Sequence, residues 1–362
     1  MKKRIISSVS IQIPFKAKFA HSSAIRESTE TIIVEIKNEN GISGFGESCP
    51  RLYVTRETIS SAQEFIIQTI PLIEIIYSLS ELSELQNRLA EEIDKNPSAW
   101  CALEMAMLDL LARENNESVE SLLNVDSDAK TLPYSAVLGI DSFVGGLAKC
   151  LLYKALGFFD FKIKLSGNQA KDLRVLKLIS FFSKSIRLDA NNLFSTADEA
   201  ISYLLPLRDF IWAIEEPVKP HALSEMKQIA QTLKIKIILD ESFLNEKSLE
   251  NIEGRQDIFI PNLRISKLGG VLRTLALVKK LEDRHFQWIL GSHVGEMSLL
   301  TRASLLVSGK DHQNLIAKEG GFSTHLLSYD PFFPNLKLGR GALIKNKISD
   351  KTGWGMTLVK NK

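Results

Sequence analysis

The chain has 362 residues, of which 44% are hydrophobic and 24% are charged, and this composition excludes a mostly disordered protein. Its 45 lysines and arginines nearly balance its 43 aspartates and glutamates, so we expect no nucleic-acid partner. The three cysteines, Cys49, Cys101 and Cys150, lack the spacing of a disulfide framework or a zinc site. Because no apolar run reaches about 18 residues and the first residues alternate in polarity, we expect a cytoplasmic protein with no signal peptide and no membrane partner.

The first 50 residues show the alternating polarity of β-strands. We predict strands over Ile5–Pro14, Glu30–Lys37 and residues 42–48, with the last two joined by a turn at the sequence NENG. We expect a polar loop, Lys16–Thr29, between the first two strands and a second loop, Ser48–Thr55, after the third.

Helical spacing replaces this alternation from Glu57 onward. Apolar residues recur every three to four positions over Glu57–Ile70, and Pro71 is expected to end that helix. Pro97 opens another helix, whose apolar residues crowd one broad face. The strands and helices together predict an α+β capping domain, a three-stranded meander plus helices, over residues 1–130.

Short apolar runs alternate with helical stretches from residue 131 onward. Eight such runs predict a (β/α)8-type, TIM-like barrel over residues 131–327, with an active site at the C-terminal ends of its strands. The runs are Tyr134–Gly139, Phe159–Ser166, Ser185–Asn192, Phe210–Pro217, Lys234–Ser242, Ile258–Lys267, Phe286–His293 and Asn314–Gly321. A C-terminal segment, residues 328–362, contains β-like pieces and is expected to return to the capping domain.

One polar residue stands at the end of nearly every predicted strand, in near-constant steps. These residues are Lys164, Asp189, Glu215, Asp240, Lys267, His293 and Glu319. Consecutive members are 25 to 27 residues apart, which is about the length of one strand, loop, helix and loop. The spacing therefore predicts that all seven side chains lie at one rim of the barrel.

Three successive strands end in a carboxylate, namely Asp189, Glu215 and Asp240. Three convergent carboxylates repel one another and raise one another's pKa unless a cation lies between them. Oxygen ligands of this kind suit Mg²⁺, with Mn²⁺ as an alternative, so we predict a divalent metal site. The competing interpretation is that each carboxylate pairs with a lysine.

Lysines stand on both sides of this acidic group. Lys162 and Lys164 share one strand face just before it, and Lys267 lies on the strand after Asp240. An ammonium beside a metal has a lowered pKa, so such a lysine can act as a base. The combination predicts removal of the α-proton of a carboxylate substrate, with the charge of the enediolate stabilised by the metal.

At this point the sequence resembles the enolase superfamily, in particular its mandelate racemase and muconate-lactonizing enzyme members, among them dipeptide epimerases. The motifs that carry the resemblance are KIK (162–164), DAN (189–191), EEP (215–217), DES (240–242), KLGG (267–270) and the helix 96–113. The resemblance implies that Asp189, Glu215 and Asp240 bind Mg²⁺ and that Lys164 and Lys267 form an acid/base pair on opposite faces of the substrate. It also implies that Lys162 supports the substrate carboxylate or depresses the pKa of Lys164, and that Asn191 orients a metal ligand.

The last strand ends and the capping loops are expected to select the substrate. His293 is predicted to contact the substrate or to be packed in the protein, and an acid/base role is the third alternative. Glu319 is predicted to bind a polar group of the substrate or to pair with Lys318 or Lys164. The eighth strand end reads KEGGFS and lacks the Asp-x-Asp pair of dipeptide epimerases. The predicted contacts from the capping loops are His21, Arg26, Arg51 and Tyr53.

The prediction is an isomerase that acts on a small-molecule carboxylate. Racemisation or epimerisation of an amino-acid or dipeptide-like acid is the first choice. Muconate-type cycloisomerisation and a syn-dehydration like that of o-succinylbenzoate synthase are the alternatives, because the same residues serve all three. A barrel that binds an acid without catalysis is the hypothesis from a different class. The sequence leaves a homo-oligomer open.

Overall fold

The computed structural model describes residues 3–21, 24–125, 132–139, 143–309, 312–344 and 351–359, with only the backbone of 17–21, 24–26, 143–144 and 324. The strands are β1 Ile5–His21, β2 Ala24–Lys37, β3 Ser43–Ser48, β4 Ala136–Leu138, β5 Asp160–Lys164, β6 Ser185–Asp189, β7 Ala213–Glu215, β8 Lys236–Leu239, β9 Phe259–Leu263, β10 Trp288–Leu290, β11 Leu315–Lys318, β12 Phe332–Phe333 and β13 Thr357–Leu358. The α-helices are α1 Leu52–Thr55, α2 Ile59–Ile73, α3 Leu79–Arg88, α4 Ala90–Lys95, α5 Pro97–Glu114, α6 Val119–Leu123, α7 Phe143–Ala155, α8 Gln169–Ile179, α9 Ala197–Leu204, α10 Leu223–Leu233, α11 Glu246–Glu250, α12 Ile265–Leu268, α13 Val271–Asp283, α14 Ser298–Val307 and α15 Ser323–Leu326. Two 3₁₀ turns lie at Arg208–Phe210 and Arg340–Ala342.

The N-terminal sheet is an antiparallel meander in the order β1, β2, β3. Its first two strands are longer than the sequence predicted, because β1 and β2 stay paired as far as His21 and Ala24, with an irregularity between Pro14 and Phe19. The prediction of a loop over residues 16–29 was therefore wrong. Backbone pairing satisfies the N–H and C=O groups whatever the polarity of the side chains, so a polar composition did not prevent strand formation.

Helix α5 is the central element of the capping domain and is buried on all sides from Pro97 to Ala112. Strand β3 packs directly on it, since a Cβ at Gly44 or Gly46 would collide with the backbone of α5 at Ala106 or Ala102. These glycines therefore permit close contact between sheet and helix. The predicted start of this helix at Pro97 is confirmed.

Helix α2 continues two residues beyond Pro71, where the sequence predicted its end. A proline removes only one backbone hydrogen bond of a helix. Near the C-terminus the loss of that one bond does not end the helix. The helix begins at a capping box in which Thr58 and Ser61 satisfy each other's backbone N–H groups.

The second sheet contains eight parallel strands in the unbroken order β4 to β11. A parallel bridge between Tyr134 and Lys318, with the Ser135 N–H donating to the Lys318 carbonyl at 2.7 Å, joins the first strand region to the last. The predicted TIM-like barrel with an N-terminal α+β domain is confirmed. Inside the barrel a small apolar cluster remains: Ala213, Ile238, Ile260, Ile289 and Ala317.

Three buried glutamates, which we call the junction carboxylates, receive the backbone N–H groups at the starts of three helices. Glu47 accepts from Met297 and Leu300 at α14, and Glu104 accepts from Val271 and Leu272 at α13. The third, Glu57, accepts from Ser98 and Ala99 at α5. Glu47 and Glu104 thereby join the capping domain to the barrel, because each lies in one unit and caps a helix of the other.

The C-terminal segment lies against helix α5. The Trp354 backbone N–H donates to Asp109 Oδ1 at 2.7 Å, and its indole N–H donates to the Met105 carbonyl at 3.0 Å. Arg113 of α5 donates to the Met356 carbonyl at 2.5 Å. None of the described helices is long and apolar enough to cross a membrane.

Candidate active site

Strand register brings the predicted rim residues together at the C-terminal ends of the parallel strands. Lys164 pairs with Asp189, and Asp189 pairs with Glu215. Glu215 pairs with Ile238, so Asp240 follows two residues later on the same face. These residues line a cavity of about 400 Å³ between the barrel and the capping domain. We call Asp189, Glu215 and Asp240 the rim carboxylates.

Lys162 lies among carboxylates inside the barrel and is 3% exposed. Its Nζ is 2.8 Å from Glu215 Oε1, 3.2 Å from Asp189 Oδ2 and 3.2 Å from Glu319 Oε2. Burial opposes the charge of this ammonium, but the three carboxylates outweigh burial and raise the pKa of Lys162. Lys162 is therefore an internal counter-ion for the rim.

Asp240 is held by two cations. The Arg264 guanidinium contacts Asp240 Oδ2 and lies 3.9 Å from Glu215 Oε1. Lys267 Nζ donates to Asp240 Oδ1 at 2.9 Å, to the Asp240 carbonyl at 2.8 Å and to the Asn262 carbonyl at 2.7 Å. Burial favours the neutral acid, yet the charges of Arg264 and Lys267 lower the pKa of Asp240.

The rim carboxylates supply the right donors for Mg²⁺ but are engaged by cationic side chains. Within the described ranges no three His, Cys, Asp or Glu side chains are arranged as a ready metal cluster. However, Glu215 Oε2 is buried and has no hydrogen-bond partner among the described residues. Burial raises the pKa of Glu215 to about 8. A buried oxygen without a partner, next to two further carboxylates, fits a hard cation with oxygen ligands.

The two lysines of the predicted acid/base pair have different surroundings. Lys164 lines the cavity, and its Nζ is 3.7 Å from Asp189 Oδ2. Lys267 is fully buried and is not one of the described residues that line the cavity. It stands on helix α12, four residues beyond the end of β9, and not on the strand where the sequence placed it. Burial lowers the pKa of Lys267.

Glu319 lines the cavity, and its carboxylate is paired with two cations. Its carboxylate is 3.2 Å from Lys162 Nζ and 2.8 Å from Arg187, which also contacts Asp160. Burial would raise the pKa of Glu319, but these two cations hold the pKa at about 2. The predicted pairing with Lys318 was wrong, because neighbouring strand residues point to opposite faces and Lys318 Nζ has no hydrogen-bond partner among the described residues. The ion pairs described for Glu319 are with Lys162 and Arg187, and none is with Lys164.

Of the predicted capping-loop contacts, Tyr53 lines the cavity. The prediction of a substrate contact at Arg51 is corrected, because this side chain is 1% exposed and donates to backbone carbonyls of Glu30, Pro50 and Val294. Arg51 thus joins the capping domain to the loop after β10. His21 and Arg26 lie in β1 and β2, and their side chains are outside the described residues.

His293 lines the cavity and is 2% exposed. Its Nδ1 lies 3.0 Å from the carbonyl oxygen of Cys49, whereas its Nε2 has no partner among the residues described. Burial and then the charges of Arg264, Arg51 and Lys267 lower the pKa of His293 well below its usual range. The imidazole is therefore neutral near neutral pH.

Two residues beside the rim orient its carboxylates. Asn191, predicted to do so, donates to Asp189 Oδ1 from its backbone N–H at 3.1 Å and also from its side-chain amide. Glu216 accepts from the backbone N–H groups of Asp240 and Ser242 at 2.7 and 2.8 Å. It therefore shapes the turn after β8.

Sequence reasoning missed two arginines and an asparagine of the site. Arg187 precedes Asp189 by two residues, and Asn262 and Arg264 continue the alternation that places Ile260 inside the barrel. The period of two in parallel strands was the signal that could have found them. The predicted rim contains only the last polar residue of each strand, and these three residues stand before it in the chain.

These features define a barrel enzyme with paired acidic and basic groups at its strand ends. A family model described as enolase C-terminal domain-like matches residues 147–362, and one described as the N-terminal domain of mandelate racemase / muconate lactonizing enzyme matches residues 5–124. The chain belongs to the mandelate racemase/muconate lactonizing enzyme family of the enolase superfamily, as its motifs predicted.

Three relatives illustrate the range of this family. L-Ala-D/L-Glu epimerase of Francisella tularensis subsp. novicida is 27% identical over 283 residues, 75% of this chain and 77% of that protein. The o-succinylbenzoate synthase of Listeria innocua is 25% identical over 356 residues, 96% of this chain and 91% of that protein. A crystal structure of dipeptide epimerase from Enterococcus faecalis V583, complexed with Mg and the dipeptide L-Leu-L-Tyr, matches with a TM-score of 0.87 at 23% identity, covering 99% of this chain and 100% of that one. The predicted isomerase class is confirmed by the relatives that are epimerases or racemases, such as the L-Ala-D/L-Glu epimerase.

Proposed function

We propose that this protein catalyses racemisation or epimerisation at the carbon next to the carboxylate of an amino-acid or dipeptide-like acid, with Mg²⁺ as cofactor. The observation that carries the proposal is the register of Lys164, Asp189 and Glu215 on adjacent strands, with Asp240 on the same face and Lys267 behind it. Inversion at one carbon requires a proton to leave one face and return to the other.

Lys164 is the group assigned to proton transfer from the cavity side, because its amine lines the cavity beside Asp189. Lys267 is assigned to the opposite side. In the structure all three of its N–H groups are engaged by oxygens of Asp240 and Asn262. Because this amine contacts Asp240, the charge on the rim carboxylates affects how readily the amine gives up a proton.

Asp189, Glu215 and Asp240 are the residues that would hold Mg²⁺. When bound, the ion supplies positive charge against the negative charge that develops on the substrate carboxylate as the α-proton leaves. With Mg²⁺ held there, the Arg264 guanidinium would give up its contact with Asp240 Oδ2, and Lys162 would keep its contact with Glu215.

A syn-elimination is the second candidate function. The match with o-succinylbenzoate synthase covers 96% of this chain, more than the match with L-Ala-D/L-Glu epimerase, which covers 75%. The same two lysines serve an elimination, since removal of the α-proton comes first in both reactions. The products distinguish the two: inversion keeps the substrate formula, whereas dehydration releases water.

The test is exchange of the substrate α-proton in deuterated water, followed by proton NMR with Mg²⁺ present. A panel of N-acyl amino acids, dipeptides, muconates and hydroxy acids is screened for deuterium uptake and for change of configuration. We expect at least one acid to exchange and invert. We expect Lys164→Ala and Lys267→Ala to lower the exchange rate by about 10²- to 10⁴-fold, the usual contribution of an acid or base.

Lys177→Ala is the matched control, because Lys177 is exposed on helix α8, away from the cavity. It should exchange at the wild-type rate. Exchange that persists in both active-site lysine variants, or a panel with no exchanging acid, would contradict the proposed function.

A further inference from the structure

His293 has a polar atom at the cavity wall that the proposed chemistry does not use. The side chain lines the cavity, and its Nε2 is buried with no hydrogen-bond partner in the described part of the chain. Buried polar atoms without partners are rare in folded proteins, and at a binding site they mark a place for a ligand group. The unpartnered Nε2 therefore indicates what kind of group the substrate presents at this position.

The hydrogen bond at the other ring nitrogen determines what Nε2 can do. Nδ1 lies 3.0 Å from the Cys49 carbonyl oxygen, and a carbonyl oxygen can only accept. Nδ1 must therefore carry the proton. In a neutral imidazole the second nitrogen then has a lone pair and no hydrogen, so Nε2 is an acceptor.

We propose that Nε2 of His293 accepts a hydrogen bond from a neutral N–H or O–H group of the substrate, and so selects carboxylic acids that carry such a donor. This inference rests on the proposed function, because it names the kind of acid on which that function acts. His293 is a specificity residue in this scheme and transfers no proton. The donor is an amide N–H in an N-acyl amino acid or a hydroxyl in a hydroxy acid.

The charges around His293 disfavour an ammonium as the donor. The cationic side chains of Arg264, Arg51 and Lys267 all act on the imidazole and favour its neutral form. The neighbouring Glu296 carboxylate accepts from the His293 backbone N–H at 2.6 Å. Because three cationic groups act on this ring, a neutral donor is favoured over a positively charged amine at Nε2.

Among the described residues, the end of the eighth strand offers no free carboxylate that could pair with a substrate ammonium. Glu319 is the carboxylate there, and both of its oxygens are already engaged by Lys162 and Arg187. The next two residues, Gly320 and Gly321, have no side chains. A substrate nitrogen on this side is therefore better tolerated as an amide than as an ammonium.

The test compares acids that differ only in the donor. For the side chain preferred in the exchange screen, α-proton exchange is measured for the N-acetyl amino acid, the O-acetyl hydroxy acid, the free hydroxy acid and the free amino acid. The O-acetyl compound places an ester oxygen where the N-acetyl compound has its N–H. We expect the N-acetyl compound to exchange about tenfold faster than the O-acetyl compound, the effect of one neutral hydrogen bond.

Variants identify the acceptor. His293→Leu should bring the N-acetyl and O-acetyl rates within about twofold of each other, and His293→Gln, which keeps an acceptor oxygen, should retain part of the difference. His285→Asn is the control, since His285 is exposed just after α13 and is not among the described residues that line the cavity, and it should keep the full ratio. A ratio unchanged in His293→Leu, equal rates in the wild type, or fastest exchange of the free amino acid would overturn the proposal. Faster exchange of the free hydroxy acid would identify a hydroxyl as the donor.

A second measurement does not need turnover. Nitrogen-15 NMR of histidine-labelled protein reports which ring nitrogen carries the proton, and comparison with His293→Gln assigns the signal among the six histidines. We expect a neutral ring protonated at Nδ1 at neutral pH, with an Nε2 signal that moves when the N-acetyl compound is added. A proton on Nε2 would refute the proposal even if exchange is observed. If no acid of the panel exchanges its α-proton, the proposed function is wrong. The NMR measurement still decides which ring nitrogen of His293 carries the proton.

Discussion

The rim carboxylates and the junction carboxylates are equally buried but are satisfied in different ways. At the rim, Asp240 and Glu215 meet the long side chains of Arg264 and Lys162. At the junction, Glu47, Glu57 and Glu104 meet backbone N–H groups at helix starts. Backbone donors are held by the fold, whereas an arginine side chain can rotate away.

This difference distinguishes the carboxylates that support the fold from those of the candidate active site. Burial raises the pKa of Glu104 to about 8 and of Glu47 well above its usual range, since no ammonium or guanidinium contacts either carboxylate among the hydrogen bonds described. At the rim the cationic partners Arg264 and Lys267 lower the pKa of Asp240, whereas burial outweighs the charge of Lys162 and raises the pKa of Glu215 to about 8. We expect Asp240 to release Arg264 when a metal binds, whereas Glu47 and Glu104, which accept from backbone N–H groups, hold the two domains together.

The largest expected effect is on catalysis at the rim. Glu215→Gln replaces an oxygen ligand proposed for Mg²⁺, next to Asp189 and Asp240, with a neutral amide, and we expect α-proton exchange to fall by about 10³-fold. Circular dichroism should show an unchanged fold, because the amide keeps the size of the side chain. Retention of more than about a tenth of the wild-type rate would contradict the assignment of Glu215 to the metal site.

Metal binding should also distinguish the two groups. We expect added Mg²⁺ to raise the unfolding temperature of the wild type, with a gain of about 2.7 kcal/mol at a hundredfold excess over the dissociation constant. A chelator should reverse this gain. Glu215→Gln should lose the Mg²⁺ effect and Glu104→Gln should keep it, as measured by thermal melts at several Mg²⁺ concentrations. The opposite pattern would mean that the ion binds elsewhere.

Glu104→Gln should affect stability and leave chemistry intact. Each carboxylate oxygen of Glu104 accepts one backbone N–H, from Val271 or Leu272, whereas the amide has only one accepting oxygen. We expect the free energy of unfolding to fall by about 1–3 kcal/mol, measured by urea denaturation. The exchange rate of the folded variant should stay within about threefold of wild type. A stable but inactive variant would argue against a purely structural role.

The smallest effect concerns Lys318, a buried ammonium without a carboxylate. It lies over the Tyr134 ring, 4.3 Å from its centre, and its Nζ has no hydrogen-bond partner in the described structure. Burial lowers the pKa of Lys318 to about 7 from 10.5. Between these values the unfolded chain binds more protons, so this group makes stability rise with pH from about 7 to 10.5.

Lys318→Met removes this charge and should therefore stabilise the protein at pH 7 by about 1–2 kcal/mol. The gain should shrink as the pH rises toward 10, as measured by urea denaturation across that range. Lys177→Met, at an exposed lysine, is the control and should show no such trend. A gain that is independent of pH would mean that packing, and not the buried charge, is responsible.

The sequence by itself determined the architecture and which residues meet at the rim of the barrel. The steps of 25 to 27 residues between strand-end polar residues predicted the barrel and its rim, because parallel strands joined by helices end at one face. The strand order β4 to β11 and the register of Lys164, Asp189 and Glu215 agree with that prediction. This spacing can be counted directly in the sequence, so no long-range contact needs to be known to detect it.

Only the tertiary structure decided which groups touch. It paired Glu319 with Arg187, placed Arg264 on Asp240, and turned Arg51 away from the cavity to hold the loop after β10. It also oriented His293 through the carbonyl of Cys49, 244 positions earlier in the chain. These pairings depend on the way the two domains pack and on the direction of each side chain inside the barrel, and a pattern within one segment contains neither.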